Sequence, residues 1–99
     1  MQITRKENKS ALILSIEGII DSATAPQFEE ALYEASRETK SLTLDFAEVG
    51  FISSAGLRVL LFTQKKMNAS QGTMTLINVS ESVREVFELT GFISVLNIA

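Results

Sequence analysis

The pattern of apolar and polar positions divides the chain into short alternating runs and longer helical ones. Ala11-Leu12-Ile13-Leu14-Ser15-Ile16-Glu17-Gly18 is rich in β-branched and aliphatic residues and predicts a strong strand. Ile3 to Glu7 predicts a weaker strand before it, and the polar Asn8-Lys9-Ser10 between them predicts a turn. The two together predict an opening hairpin.

The period then changes. Phe28, Ala31, Leu32 and Ala35 recur at helical spacing, with Glu29, Glu30, Glu34 and Glu38 mostly on the wet side. Thr24-Ala25-Pro26-Gln27 fits a capping box with proline in the first turn, so the helix is expected to start near Thr24. Ser41 to Phe46 predicts the next strand, Leu42, Leu44 and Phe46 alternating with Thr43 and Asp45. A second helix is expected from the pair Ser53-Ser54 to about Ser70. Leu57, Leu60, Leu61 and Gln64 form its stripe, Val59 and Phe62 widen the apolar face, and Lys65 and Lys66 suit its end. Gln71-Gly72 ends it. Thr73 to Asn78 predicts a strand with Met74 and Leu76 on one side. Ser80 is placed to cap a third helix carrying Val83, Val86, Phe87 and Thr90, with Gly91 as its C′ residue. Phe92 to Ile98 predicts a last strand. Most of the phenylalanines fall in the core by period, with Phe51 and Phe92 expected to show an edge.

The order β-β-α-β-α-β-α-β predicts an α/β fold: one layered domain over residues 1–99, a mixed sheet with helices packed on it. Ninety-nine residues leave no room for a second domain. A hydrophobic share of 45% with 21% charged residues is an ordinary globular balance. Net charge is −3 and no basic block occurs, which gives nucleic-acid binding no electrostatic support. The chain has no cysteine and no histidine, so disulfides, thiolate sites and a Ser-His-Asp triad are excluded. No apolar run is long enough to span a bilayer and no signal-peptide core is seen, so a cytoplasmic protein without direct membrane insertion is expected.

The candidate chemistry gathers at strand-to-helix handovers. Ser53 and Ser54 sit where a strand passes into a helix, whose first turn offers free N–H groups and partial positive charge. A serine there can simply cap the helix. A phosphoserine there is stabilised by the same groups, and Ser54 is the expected phosphorylation switch. Ala55 and Gly56 are small and leave the serines open to another protein's active site. Arg58, about one turn on, either pairs with a phosphate or is a solvated side chain. Asp21, Ser22 and Thr24 follow a strand on the same expected edge, where open α/β sheets collect binding sites. Ser22 and Thr24 also read as local caps, whereas capping alone explains Asp21 less well. Asp45 is expected at its strand's end, ordering the loop before the serines or contacting a partner. Asp21, Asp45 and Glu48 with Ser54 offer oxygen ligands to a hard cation, but at no known metal-loop spacing.

These residues resemble the STAS domain and, within it, the anti-sigma-factor antagonists of bacteria. The resemblance runs nearly end to end. Its most specific parts are Glu17-Gly18-Ile19-Ile20-Asp21, Leu42-Thr43-Leu44-Asp45-Phe46 and Phe51-Ile52-Ser53-Ser54-Ala55-Gly56-Leu57, with Thr90-Gly91-Phe92 as a weaker fourth. In the family the serine following an aspartate is phosphorylated, which matches Ser54. The aspartate falls on Ser53, a departure that removes a charge and leaves a rival hydroxyl. Arg58 replaces a frequent glycine. Related antagonists often add a helix after the last strand; here the sequence ends at Ala99, so that surface is expected to be exposed or covered by another subunit.

The resemblance implies a partner switch with no catalysis and no cofactor of its own. The unphosphorylated protein binds an anti-sigma factor that is also a serine kinase and so frees a sigma factor. Phosphorylation ends binding, and a serine phosphatase resets it. The expected contact residues are Asp21, Ser22, Thr24, Asp45, Ser53, Ser54, Ala55, Gly56 and Arg58. A monomer or weak homodimer is expected. The alternative is a STAS subunit of a membrane lipid transporter that is never phosphorylated. A small enzyme built on Asp21, Asp45 and Ser54 lacks a histidine, cysteine or nearby lysine to work with.

Overall fold

A computed structural model describes residues 1–99. The elements are β1 (Gln2–Asn8), β2 (Ala11–Ile20), α1 (Ala25–Glu38), β3 (Ser41–Ile52), α2 (Ser54–Ala69), β4 (Thr73–Ile77), α3 (Glu81–Thr90), a 3₁₀ turn (Phe92–Ser94) and β5 (Asn97–Ile98). The expected mixed α/β architecture is present. The sheet order is β1-β2-β3-β4-β5, with β1 antiparallel to β2 and every later pair parallel.

Strand order that follows chain order has a geometric consequence. Right-handed crossovers that always step the same way place every connecting helix on one face of the sheet. The side chains agree. Leu12, Leu14, Ile16, Leu42, Leu44, Phe46, Met74 and Leu76 point to the helix side and are buried. Their alternating neighbours Ser15 and Glu17 are exposed, and Thr43, Asp45 and Thr75 are half-buried on an open face. Phe28, Leu32 and Ala35 of α1, Leu57 and Leu60 of α2, and Val83 and Phe87 of α3 fill the core against that sheet. Phe28 meets Phe46 edge-on at 6.5 Å. Arg5 of β1 reaches Glu38 at the end of α1 through two bonds of 2.8 and 2.7 Å. That guanidinium holds the Glu38 carboxyl below the usual carboxylate range.

β3 is longer than the sequence pattern predicts. It does not stop at Phe46 but runs to Ile52, because two bulges are built into its pairing with β2. Ser15 faces Asp45 but Glu17 faces Glu48, and Gly18 faces Val49 but Ile19 faces Phe51. Each offset gives β3 one extra residue and turns its next side chain. The buried positions therefore step from Phe46 to Val49 to Ile52, a spacing that no two-residue alternation detects. β2 likewise continues past Gly18 to Ile20.

The C-terminal end departs from expectation too. Phe92 to Ile98 is not a continuous strand. Gly91 takes φ 83°, and the Phe92 carbonyl accepts from Val95 and Leu96 N–H, which winds the chain into a 3₁₀ turn. Only Asn97 and Ile98 pair with β4. β4 ends at Ile77 because Asn78 turns left-handed, with φ 58°. On α2, Phe62 is not core: it is 66% exposed, while Thr63 is buried and donates to the Val59 carbonyl at 2.8 Å. Ser80 caps α3 as expected, accepting from Val83 N–H at 3.3 Å.

Of the glycines, Gly56 has the least room around it, under the first turn of α2. A Cβ added to Gly56 would stand 2.5 Å from Ile20 Cγ2 and 2.7 Å from Ile52 Cγ1. Both isoleucines are fully buried, so they have nowhere to retreat. Gly56→Ala is expected to destabilise the protein by roughly 1–3 kcal/mol, despite alanine's better helix propensity. Urea unfolding followed by circular dichroism measures it, and an unchanged midpoint contradicts this packing.

Candidate functional site

The carboxyl ends of β2 and β3 carry the two sequence regions singled out above. The turn from β2 into α1 is closed by its own side chains. Asp21 Oδ1 accepts from Ala23 N–H at 2.9 Å and Thr24 N–H at 3.1 Å, and the Asp21 carbonyl accepts from Ala25 N–H at 2.8 Å. Thr24 sits at the N-cap position of α1 but does not cap it. Its hydroxyl reaches back, donating to the Ile19 carbonyl at 2.7 Å and accepting from Asp21 N–H at 2.9 Å. The capping box expected from Thr24-Ala25-Pro26-Gln27 is therefore absent, and Asp21 orders the turn instead. Ser22 is exposed at its tip.

The second handover runs from β3 into α2. Ser53 N–H donates to the Ile20 carbonyl at 2.8 Å, which ties this turn to the end of β2. The first bond of α2 runs from Leu57 N–H to the Ser53 carbonyl at 3.0 Å. The amides of Ser54, Ala55 and Gly56 lie ahead of it, in the turn whose N–H groups have no acceptor inside the helix. Ser53 occupies the N-cap position, yet its side chain makes no capping bond. Its Oγ is buried and without a hydrogen-bond partner.

Ser54 differs sharply from its neighbour. It is exposed as the first residue of α2, beside the half-buried Ala55 and the buried Gly56. Arg58, one turn on, is also exposed and lines a shallow depression together with Ser22 and Ala55. Ser22, Ala55 and Arg58 therefore come together beside Ser54, at one end of α2. Two exposed apolar residues flank the same edge: Ile19 is 53% exposed and its strand partner Phe51 is 49% exposed. The periodicity foresaw an exposed Phe51. Nothing in the sequence marked Ile19, which sits in a β-branched run that reads as core.

Asp45 is not part of this cluster. The alternation that ends at Phe46 predicts a strand end at Asp45, near the serines. Asp45 lies instead before both bulges, with the rest of β3 between it and Ser53, on the order of 20 Å of extended chain. Its carboxylate accepts from Ala47 N–H and Asn78 Nδ2, both at 3.0 Å, so it orders the bulge and the end of β4. No three acidic side chains gather where they could hold a metal ion. No helix is long and apolar enough to cross a membrane.

An open sheet with helices on one face, and a serine at the head of the helix after its central strand, defines a recognisable class. The STAS domain profile matches residues 2–99, and the chain belongs to that family. A Bordetella bronchiseptica protein named as the anti-sigma factor antagonist BtrV is 36% identical over 100 residues, covering 100% of this chain and 86% of that protein. A Thermotoga maritima protein named as an anti-sigma factor antagonist superposes with a TM-score of 0.89 at 21% identity, over 97% of this chain and 84% of that one. The Bacillus cell fate determinant SpoIIAA in its phosphorylated form superposes with a TM-score of 0.75 at 19% identity, over 99% of this chain and 91% of that one. The chain is thus a STAS domain protein similar to anti-sigma factor antagonists.

The two helix caps give opposite expectations. Ser80→Ala removes a made bond and is expected to cost about 1 kcal/mol. Ser53→Ala removes a buried hydroxyl that has no partner and is expected to be neutral or stabilising. Paired urea titrations decide it. A loss at Ser53 as large as that at Ser80 refutes an unpartnered Oγ.

Proposed function

We propose that this chain is an anti-sigma factor antagonist that works by phosphorylation-controlled partner switching, with Ser54 as the acceptor. The observation that carries the reading is the contrast between the two serines: the Ser54 side chain is exposed at the head of α2, while the Ser53 Oγ is buried. A kinase can reach only the first. The small, half-buried Ala55 lets a partner's backbone approach closely, and Ile19 and Phe51 add apolar contact surface beside it; Gly56, expected to share that role, is buried against Ile20 and Ile52 and serves packing alone.

The partner is an anti-sigma factor that is also a serine kinase. It holds the unphosphorylated protein, and its sigma factor is freed. When it transfers the γ-phosphoryl group of ATP to Ser54 Oγ, ADP leaves and the hydroxyl gives up its proton. The phosphate adds about −1.5 to −2 charges at neutral pH. Within the antagonist this charge is well placed, against the partial positive charge of the α2 N-terminus. Within an interface shaped to a neutral serine it is badly placed, because it must be stripped of water against a partner surface that offers it no cation. Each 1.4 kcal/mol of that penalty is tenfold in affinity, so a few kcal/mol suffice to separate the pair. A serine phosphatase restores the binding form. Asp21, Ser22, Thr24 and Arg58 frame the contact surface, and the chain supplies no catalytic group of its own.

Similarity to anti-sigma factor antagonists, one of them a 36% identical relative, supports the binding class. That the fold accommodates a phosphate is supported by SpoIIAA, whose phosphorylated form is superposable on this chain.

A pull-down from native lysate with wild type and Ser54→Asp as baits tests the reading. Wild type is expected to retain a kinase-like protein that Ser54→Asp loses, about a hundredfold in affinity when the purified pair is titrated. Far-ultraviolet circular dichroism of the two baits should coincide. Transporter subunits captured equally by both baits contradict the switch and assign the chain to a static complex.

A further inference from the structure

A groove runs between α1 and α2, away from Ser54. It encloses about 270 Å³, with Pro26, Glu29 and Tyr33 on the α1 side and Val59, Phe62 and Lys66 on the α2 side. It is continuous with the depression at Ser22, Ala55 and Arg58, which shares Pro26, Glu29, Val59 and Phe62. One end of the groove therefore opens onto the Ser54 surface.

Its chemistry is asymmetric. Tyr33 is 49% exposed and Phe62 is 66% exposed, above a buried Val59. Aromatic residues are enriched at protein interfaces, tyrosine among the commonest anchors. The Tyr33 ring is held in place, with Lys66 Nζ 3.9 Å and Arg37 Cζ 5.6 Å from its centroid. The cation on the α2 side is thus already engaged. The carboxylates on the α1 side are not: the chain's ion pairs join Arg5 to Glu7 and Glu38, and neither Glu29 nor Glu30 takes part in one. An occupant must bring apolar surface to the aromatics and positive charge to the acidic rim.

We propose that this groove docks a helix of the kinase partner, which sets an apolar side chain between Tyr33 and Phe62 and a lysine or arginine against Glu29 and Glu30. The inference rests on the partner-switch reading and adds an anchor to it. Two packed helices present a groove suited to a third helix, whose side chains enter at three- and four-residue spacing. Phe62 lies two turns along α2 from Ser54, on the order of 12 Å. The aromatic end of the anchor is uncharged and stands that far from Ser54, so a phosphate there leaves the apolar contact largely unaffected. The kinase grips its substrate at the groove while Ser54 alone carries the switch.

The test is calorimetric titration of the purified kinase retained in the pull-down against wild type, Ser54→Asp, Phe62→Ala and the double variant Glu29→Lys/Glu30→Lys. All four substituted side chains are exposed, so the fold is expected to survive, and circular dichroism checks it. Phe62→Ala and the charge reversal should each weaken binding about tenfold or more. Wild-type affinity in both, with Ser54→Asp still losing binding, overturns the groove and leaves the switch intact. Weakened groove variants with an unaffected Ser54→Asp overturn the switch and leave the groove as a static docking site. If sedimentation shows that wild type self-associates and Phe62→Ala does not, the occupant is a second copy of this chain and the proposed partner helix is wrong.

Discussion

The position of every group at the site depends on how closely the first turn of α2 lies on the ends of β2 and β3. Gly56 touches Ile20 and Ile52 at distances that admit no further carbon. Ser53 N–H bonds the Ile20 carbonyl across the same seam. The turn is thus clamped from below by packing and from the side by a backbone bond. A rigid seat of this kind leaves the serine that follows Ser53 little choice of direction. The Ser53 hydroxyl, buried beside this seam, makes no bond to the free amides of the helix. Capping energy is given up there, and close packing replaces it.

The one-sided sheet explains why chemistry collects where it does. With all helices on one face, both handovers from β2 and β3 bring chain to the same edge and the same side. Ser22 and Ala55, from different crossovers, line one depression there. The open face meets that edge at Ile19 and Phe51. The site therefore joins an apolar ledge from the sheet to a polar rim from the helices.

Much of this could be read from residues alone, and the failures share a cause. Ser80 and Gly91 bounded α3 correctly because a cap and a left-handed C′ glycine are local devices. Leu42, Leu44 and Phe46, and likewise Met74 and Leu76, mark the buried face because alternation holds where strands pair without interruption. Asp45 was misplaced because the bulges opposite Glu17 and Ile19 broke that alternation, and a bulge is a property of two strands, not of one sequence. Thr24 looked like a cap, but its hydroxyl was drawn to the Ile19 carbonyl by a turn that Asp21 had already closed. Phe62 reads as core by period, but burial on α2 is decided by which face meets the sheet: Gln64 goes inside with its stripe as expected, and Thr63 is buried where Phe62 is not. At the site, the motif around Ser54 was visible. The exposure of one hydroxyl and the enclosure of its neighbour were not, since both are serines at consecutive positions and differ only in three dimensions.

The sequential strand order also bears on how the chain reaches and leaves its folded form. Each strand pairs with the one before it, so every parallel crossover closes over a single helix, and none waits for a later strand to be inserted. β3 is central to that series and β5 is its shortest member, joined to β4 at only Thr75–Asn97 and Leu76–Ile98. Opening of the last strand breaks few bonds and disturbs neither the seam under α2 nor the turn at Asp21. The C-terminal edge can fray on its own as a low-stability unit while the seam that seats Ser53 and Ser54 keeps its packing.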